Sequence, residues 1–168
     1  MKGKKDWIRI IIVLLVATGL FAWWQQANRA VLRVRDYQTR EIYREIPVQA
    51  GDHLYFGWMH SLEHIPWNEV FYIAEDRTLV LDEISFPAFG AGIPENKGKR
   101  TWVDKKGMIH MAEIGQVFPC LDWINSHYAT RDIKVNETLV TTGPQLPEHR
   151  RLLLCIEKKG FFDGYVKK

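Results

Sequence analysis

Short runs in which apolar and polar residues alternate follow one another from residue 30 onward. Such runs lie at residues 30–35 and 41–46, and further short strand-like runs follow at residues 53–59, 70–74 and 78–86. Successive side chains of a β-strand point to opposite faces, so a period of two predicts strands that are half buried. The pattern therefore predicts a sheet of short antiparallel strands.

Further strands and one short helix complete the prediction. Residues 119–128 have a period near 3.6, which predicts a helix that begins at Pro119. The remaining predicted strands are residues 100–103, 108–111, 151–156 and 161–166. The predicted fold class is mainly β: a single antiparallel β-sandwich or small barrel with one short helix, preceded by an N-terminal transmembrane helix.

The transmembrane prediction depends on residues 10–24. These fifteen residues are uncharged and mostly large and apolar, and four basic residues precede them. A bilayer needs about 20 such residues, so this is either a slightly short transmembrane helix or the apolar core of a signal peptide. Trp23 and Trp24 favour a retained signal anchor, because tryptophan is enriched at membrane boundaries.

Charge gives the predicted orientation. Residues 1–9 carry a formal net charge of +3, which equals that of the whole chain. Basic residues before the helix predict that the N-terminus lies in the cytoplasm and that the chain is anchored in the cell membrane. The predicted domains are residues 1–28, the basic segment and anchor, and residues 29–168, an extracytoplasmic β domain. Because this domain is neutral overall, nucleic acid is excluded as a partner.

The chain has two cysteines, Cys120 and Cys155. An extracytoplasmic domain permits a disulfide between them. The alternative is that both are small buried apolar residues. The sequence leaves both alternatives open, because it does not give the distance between the two α-carbons.

Residues 58–69 hold the densest group of chemically active side chains. Strands 54–60 and 69–74 predict a hairpin in which Phe56 faces Ile73, Trp58 faces Phe71 and His60 faces Glu69. The candidate ligand- or partner-binding residues of this segment are Trp58, His60, Ser61, Glu63, Pro66, Trp67 and Glu69.

A glycine loop follows about twenty residues later and adds Phe89, Gly90 and Gly92 to the candidates. Strand 78–86 leads directly into it, so we expect it to lie near the hairpin. Two glycines can turn backbone amides inward as an anion-binding nest. The alternative is a simple corner or bulge.

His60, Glu63 and His64 also match H-x-x-E-H, the inverted zinc-protease motif. That chemistry requires both histidines on one face of a helix. Pro66 and the strand pattern before His60 oppose a helix here. A non-helical metal site that adds Glu69 is the remaining alternative; we predict no cofactor and no catalytic residues.

Residues 54–94 resemble a known family, the domain of unknown function eighteen-fifty. The resemblance lies in Trp58, the His-Ser-Leu-Glu run at 60–63, the Pro-Trp-Asn-Glu run at 66–69 and the Phe-Gly-Ala-Gly-Ile-Pro run at 89–94. It implies a small bacterial or archaeal protein with one membrane segment, encoded beside TAXI-type TRAP transporters for organic acids. It implies no activity.

Three functions are compatible with these features. The first is a membrane-anchored extracytoplasmic binding or accessory protein of a TRAP transporter, in contact with its membrane unit or its solute-binding protein. The second is a metal-assisted hydrolase that uses His60, Glu63, His64 and Glu69. The third is a structural envelope domain, in which the same residues only support folding.

Overall fold

The computed structural model describes residues 2–27 and 30–159. The chain divides into two compact units. One contains the helix α1 (Lys2–Ala27), and the other is the β domain, Val31–Glu157. Within the described part of the chain, no helix has both the length and the apolar character needed to cross a membrane.

Two antiparallel sheets form the β domain. The strands are β1 (Ala30–Asp36), β2 (Ile42–Val48), β3 (His53–Met59), β4 (Pro66–Ile73), β5 (Leu79–Phe86), β6 (Arg100–Val103), β7 (Ile109–Phe118), β8 (Cys120–Ile124), β9 (Thr130–Val135), β10 (Thr138–Thr142) and β11 (Arg151–Lys158). The smaller sheet has the order β2-β1-β11-β8, and the larger has the order β10-β9-β3-β4-β5-β7-β6. The prediction of a mainly β, sandwich-like fold is confirmed.

The core follows from the alternation in the sequence. Leu32 and Val34 of β1 and Leu152 and Leu154 of β11 are fully buried in the smaller sheet. The larger sheet buries Leu54, Phe71, Ile73, Leu79, Ile84, Phe86, Met111 and Ile133. Burial of these side chains is the main favourable contribution to folding, at roughly 1.5–3 kcal/mol for each large apolar side chain.

The predicted helix at residues 119–128 is wrong. The segment contains β8, which pairs with β11 from Ile124–Arg151 to Cys120–Cys155. Pairing with a neighbouring strand satisfies its backbone groups, and this outweighs a weak helical period. The predicted strand at residues 161–166 lies outside the described residues.

The prediction also lacked β9 and β10. A two-residue turn, Asn136-Glu137, joins them, and both residues have positive φ angles, 46° and 67°. Positive φ at both positions is typical of a tight hairpin turn. The predicted strands at residues 100–103 and 108–111 are confirmed: β6 pairs with β7, and Gly107 in the turn between them has a φ of 82°.

Asp36 predicts how the stability of the β domain depends on pH. Its side chain is buried and accepts hydrogen bonds from the amides of Thr39 and Gln38 and from Arg150 Nε at 2.8 Å. The Thr39 amide contributes most to lowering the Asp36 pKa to about 2, and Arg150 and the Gln38 amide add to this.

A carboxyl whose pKa is lowered by folding stabilises the fold above its unfolded pKa of about 4. We therefore expect this contribution to be lost as the pH falls from about 4 to about 2. Urea unfolding of wild type and Asp36→Asn across this range measures it. The difference between the two proteins should shrink at acid pH, and a constant difference would contradict the assignment.

Candidate functional site

The hairpin of β3 and β4 has a different register from the predicted one. Phe56 faces Glu69, and Trp58 faces Trp67, because β4 begins already at Pro66. The predicted pairs of Phe56 with Ile73, Trp58 with Phe71 and His60 with Glu69 are therefore wrong. The shift amounts to an even number of residues, so each side chain keeps its predicted face.

His60 lies on the aromatic side of the hairpin. Its ring centroid is 5.7 Å from that of Trp58 and 5.7 Å from that of Trp67, and only 9% of the residue is exposed. Trp67 in turn stacks on Phe86 at 4.9 Å. His60 thus packs in a row of stacked rings, at a place that sequence reasoning had assigned to an ion pair.

The glycine loop contacts the hairpin loop, as predicted. Glu63 Oε1 accepts a hydrogen bond of 2.7 Å from the Ala91 amide. A Cβ on Gly90 would lie 2.4 Å from Glu63 Cδ, and one on Gly92 would lie 3.7 Å from His60 Cε1. The anion at this loop is therefore a carboxylate of the chain itself. The Ala91 amide is occupied, which removes it from the predicted anion nest.

The other predicted residues do not converge on a common point. Ser61, His64 and Phe89 are exposed, and Pro66 is the first residue of β4. Among the described residues, no three His, Cys, Asp or Glu side chains lie close enough together to hold a metal ion. The predicted metal ligands His60, Glu63, His64 and Glu69 are thus not brought together.

A pocket of about 530 Å³ opens beside the hairpin, where β3 and β4 meet β8 of the smaller sheet. Pockets for small molecules commonly have volumes of about 300–1,000 Å³. The lining residues are Phe56, Trp58, Glu69, Phe71, Phe118, Cys120, Leu121, Asp122, Trp123, Ile124, Ala129 and Thr130. Five of them are aromatic, so the wall is mostly apolar.

A family model describes the part of the chain that contains this pocket. The model named Domain of unknown function (DUF1850) matches residues 54–141, slightly more than half of the chain. The chain belongs to the DUF1850 family. The match includes the hairpin, the glycine loop and every residue that lines the pocket. No curated protein and no solved structure shows significant similarity to the chain.

The disulfide of this DUF1850 protein lies at the edge of the pocket. Cys120 and Cys155 are bonded, with their α-carbons 4.5 Å apart, and they face each other in the β8–β11 ladder. The described residues contain no free cysteine. Of the two alternatives that the sequence left open, the disulfide is the one observed.

Sequence reasoning found two residues of the DUF1850 pocket, Trp58 and Glu69, and missed the others. The main cause is the incorrect helix, which hid β8, the strand that contributes Cys120 and Trp123 to the pocket. The ring centroids of Phe56 and Trp123 lie 5.2 Å apart and join the two sheets. A contact across two sheets has no local signal in the sequence.

Glu69 is the most unusual polar group of the DUF1850 pocket. Burial raises the pKa of its carboxyl above the ordinary value. The Trp67 Nε1–H group, which donates a hydrogen bond of 3.1 Å to Glu69 Oε1, lowers this pKa, as do the charge of Lys97 and a contact with the Trp58 side chain. Desolvation outweighs these partners, so the ionised form is costly in the empty pocket.

We expect Glu69→Gln to stabilise the ligand-free protein at neutral pH. A carboxyl whose pKa is raised by folding destabilises the fold once the pH exceeds its unfolded value of about 4.3. Glutamine keeps an oxygen for Trp67 and cannot ionise. Thermal unfolding at pH 7 should show a higher midpoint for the variant, and the difference should vanish near pH 3.

The exposed Glu75 provides a matched control, since Glu75→Gln removes one charge outside the pocket. If Glu69→Gln and Glu75→Gln shift the midpoint equally, burial of Glu69 is not the cause.

Proposed function

We propose that the DUF1850 domain of this chain is a binding domain that holds a small ligand in the pocket beside β3 and β4. The pocket is the observation that carries the proposal. It has the volume of a small-molecule site, a mostly aromatic wall and one carboxyl group that is costly to bury. A concave, mostly apolar space with a few polar groups is typical of ligand sites.

The location that we propose is the extracytoplasmic side of a membrane, with the basic and apolar segment of residues 1–28, predicted from the sequence, as the anchor. The Cys120–Cys155 bond supports this, because disulfides persist in oxidising compartments. The uncharged run at residues 10–24 and the basic residues before it support the anchor. Fractionation of cells that express a C-terminally tagged chain tests both, with protease added to intact spheroplasts.

The partner that we propose is a TRAP-type transporter of the TAXI class, either its membrane unit or its solute-binding protein. The support is the gene neighbourhood that membership of the family implies, together with the anchor. A tagged full-length chain should co-purify transporter components from solubilised membranes of its own host. Repeated recovery of the chain without them would contradict this partner while leaving the ligand-binding proposal intact.

Ligand binding is tested on the full-length chain in lipid nanodiscs by ligand-observed NMR. The probes are choline, its neutral carbon analogue neohexyl alcohol, and the tert-butylacetate anion. At least one should bind wild type, and Ala129→Phe should abolish binding because the new ring fills the pocket. Ala50→Phe is the matched control, since Ala50 is exposed and outside the pocket.

Circular dichroism of each variant separates loss of binding from loss of folding. If no probe binds folded wild type, or if Ala129→Phe binds as wild type does, the pocket is not the site.

A further inference from the structure

We propose that the ligand of this pocket is an organic cation, such as a quaternary or tertiary amine, held by Glu69 and surrounded by aromatic rings. This inference depends on the proposed function, since it names the chemical class of the ligand for the same pocket. Three features of the pocket carry it: a carboxylate without an ion-pair partner in contact, an aromatic wall and the absence of a cationic side chain from that wall.

Charge is the first feature. Two carboxylates line the pocket, Glu69 and Asp122. Asp122 is neutralised by Arg151, whose Nε lies 2.9 Å from Asp122 Oδ1, and this contact lowers the Asp122 pKa. Glu69 forms no ion pair among the described residues; its hydrogen bond comes from the neutral Trp67 indole. The charge of Lys97 acts on Glu69 without forming an ion pair with it, so the pocket holds one carboxylate that no cationic side chain contacts.

The aromatic wall is the second feature. Phe56 and Trp123 are nearly perpendicular, with an interplanar angle of 77° and centroids 5.2 Å apart. Phe71 and Phe118 are also nearly perpendicular, at 84° and 5.8 Å. All four of these rings line the pocket, and Trp58 adds a fifth aromatic side chain. The negative faces of such rings attract organic cations, and tryptophan does so most strongly.

The composition of the wall is the third feature, and it argues against an anionic ligand. The pocket-lining residues include neither lysine nor arginine nor histidine. An anionic ligand would lie close to Glu69 without a cation to balance it. A neutral apolar ligand would remove water from Glu69 and so increase the free-energy cost of burying its ionised carboxylate. A cation offsets the cost of burying the ionised Glu69, because each charge then has a partner.

Glu69 and Trp58 lie on facing strands. Glu69 is directly opposite Phe56, and Trp58 is the next residue of β3 on the same face. The carboxylate and the indole therefore meet at one wall of the pocket. A quaternary ammonium group has no N–H to donate and is bound mainly by charge and by ring faces, which is what this wall offers.

The three probes used above also test this inference, because neohexyl alcohol has the shape of choline and differs in replacing the charged nitrogen by carbon. We expect choline to bind wild type at least about tenfold more tightly than neohexyl alcohol. Tert-butylacetate should bind more weakly than either. Glu69→Gln should reduce the preference for choline to less than about threefold while retaining neohexyl alcohol.

Trp58→Leu provides a second variant that keeps the pocket apolar. It should weaken choline more than neohexyl alcohol, since the neutral probe gains nothing from a ring face. Trp102→Leu is the control, because Trp102 lies outside the pocket.

The outcomes distinguish the two proposals. Equal affinity of wild type for choline and neohexyl alcohol, or a preference for tert-butylacetate, overturns the organic cation and leaves the binding pocket in place. An unchanged preference for choline in Glu69→Gln also overturns the role of Glu69. Failure of all three probes overturns both proposals together.

Discussion

Replacing Cys120 and Cys155 together by alanine lowers the free energy of unfolding by about 3–4 kcal/mol. The two cysteines are 35 residues apart, and the bond restricts a loop of that length in the unfolded chain. Loss of the bond increases the entropy of the unfolded state, while most contacts of the folded state remain. Urea unfolding of the full-length chain under non-reducing conditions measures the loss.

A reductant provides the control for this variant. It should destabilise wild type by a similar amount and leave the double alanine variant unchanged. If the fully reduced wild type is as stable as the oxidised wild type, the disulfide does not make the expected contribution to stability. An effect of the reductant on the variant would point to a cause other than the bond.

Asn125→Ala is expected to cost about 3 kcal/mol, the other large effect. Asn125 is fully buried after β8, and its side-chain amide donates to the carbonyls of Gly143, Leu146 and Pro147 at 3.1, 3.3 and 3.0 Å. Alanine leaves these acceptors without their donor, and each unsatisfied buried group costs roughly 1–3 kcal/mol. New contacts of the three carbonyl groups, and water that reaches them in the variant, reduce the total cost of leaving them without a donor.

Asn125→Asp extends this test, because it has nearly the same shape as asparagine. It places a carboxylate against carbonyl oxygens, so it should destabilise the β domain more than alanine at pH 7 and less so near pH 3. Asn96→Ala is the control at an exposed position and should change the stability by less than about 0.5 kcal/mol. If alanine at position 125 proves as mild as alanine at position 96, the three hydrogen bonds do not hold this junction.

Most strands were predictable because alternation is a local property. The structure places β3 at residues 53–59 and β5 within residues 78–86; β3 buries Leu54 and Phe56 on one face, whereas β5 buries residues of both faces. The register of the hairpin was not predictable in the same way. Apolar residues at both ends of β4 allow more than one pairing, and only the position of Pro66 in the folded strand decides between them.

The sequence predicted which segments lie next to each other at the candidate site, but it did not predict the pocket. Proximity of the glycine loop to the hairpin follows from chain connectivity, and the Glu63–Ala91 hydrogen bond agrees with it. The pocket depends on β8, where a pattern near 3.6 residues suggested a helix. Pairing with β11 and the disulfide override that pattern, and both involve residues about 30 positions later in the chain.

Cys120 takes part both in the disulfide and in the wall of the pocket. If the pocket binds the proposed ligand, we expect its affinity to depend on whether the two sulfurs are bonded. Coupling of this kind is reciprocal: if the bonded form holds the ligand more tightly, the ligand protects the bond from reduction by the same factor. Resistance of the disulfide to a thiol reductant is thus a measure of pocket occupancy that requires no label on the ligand.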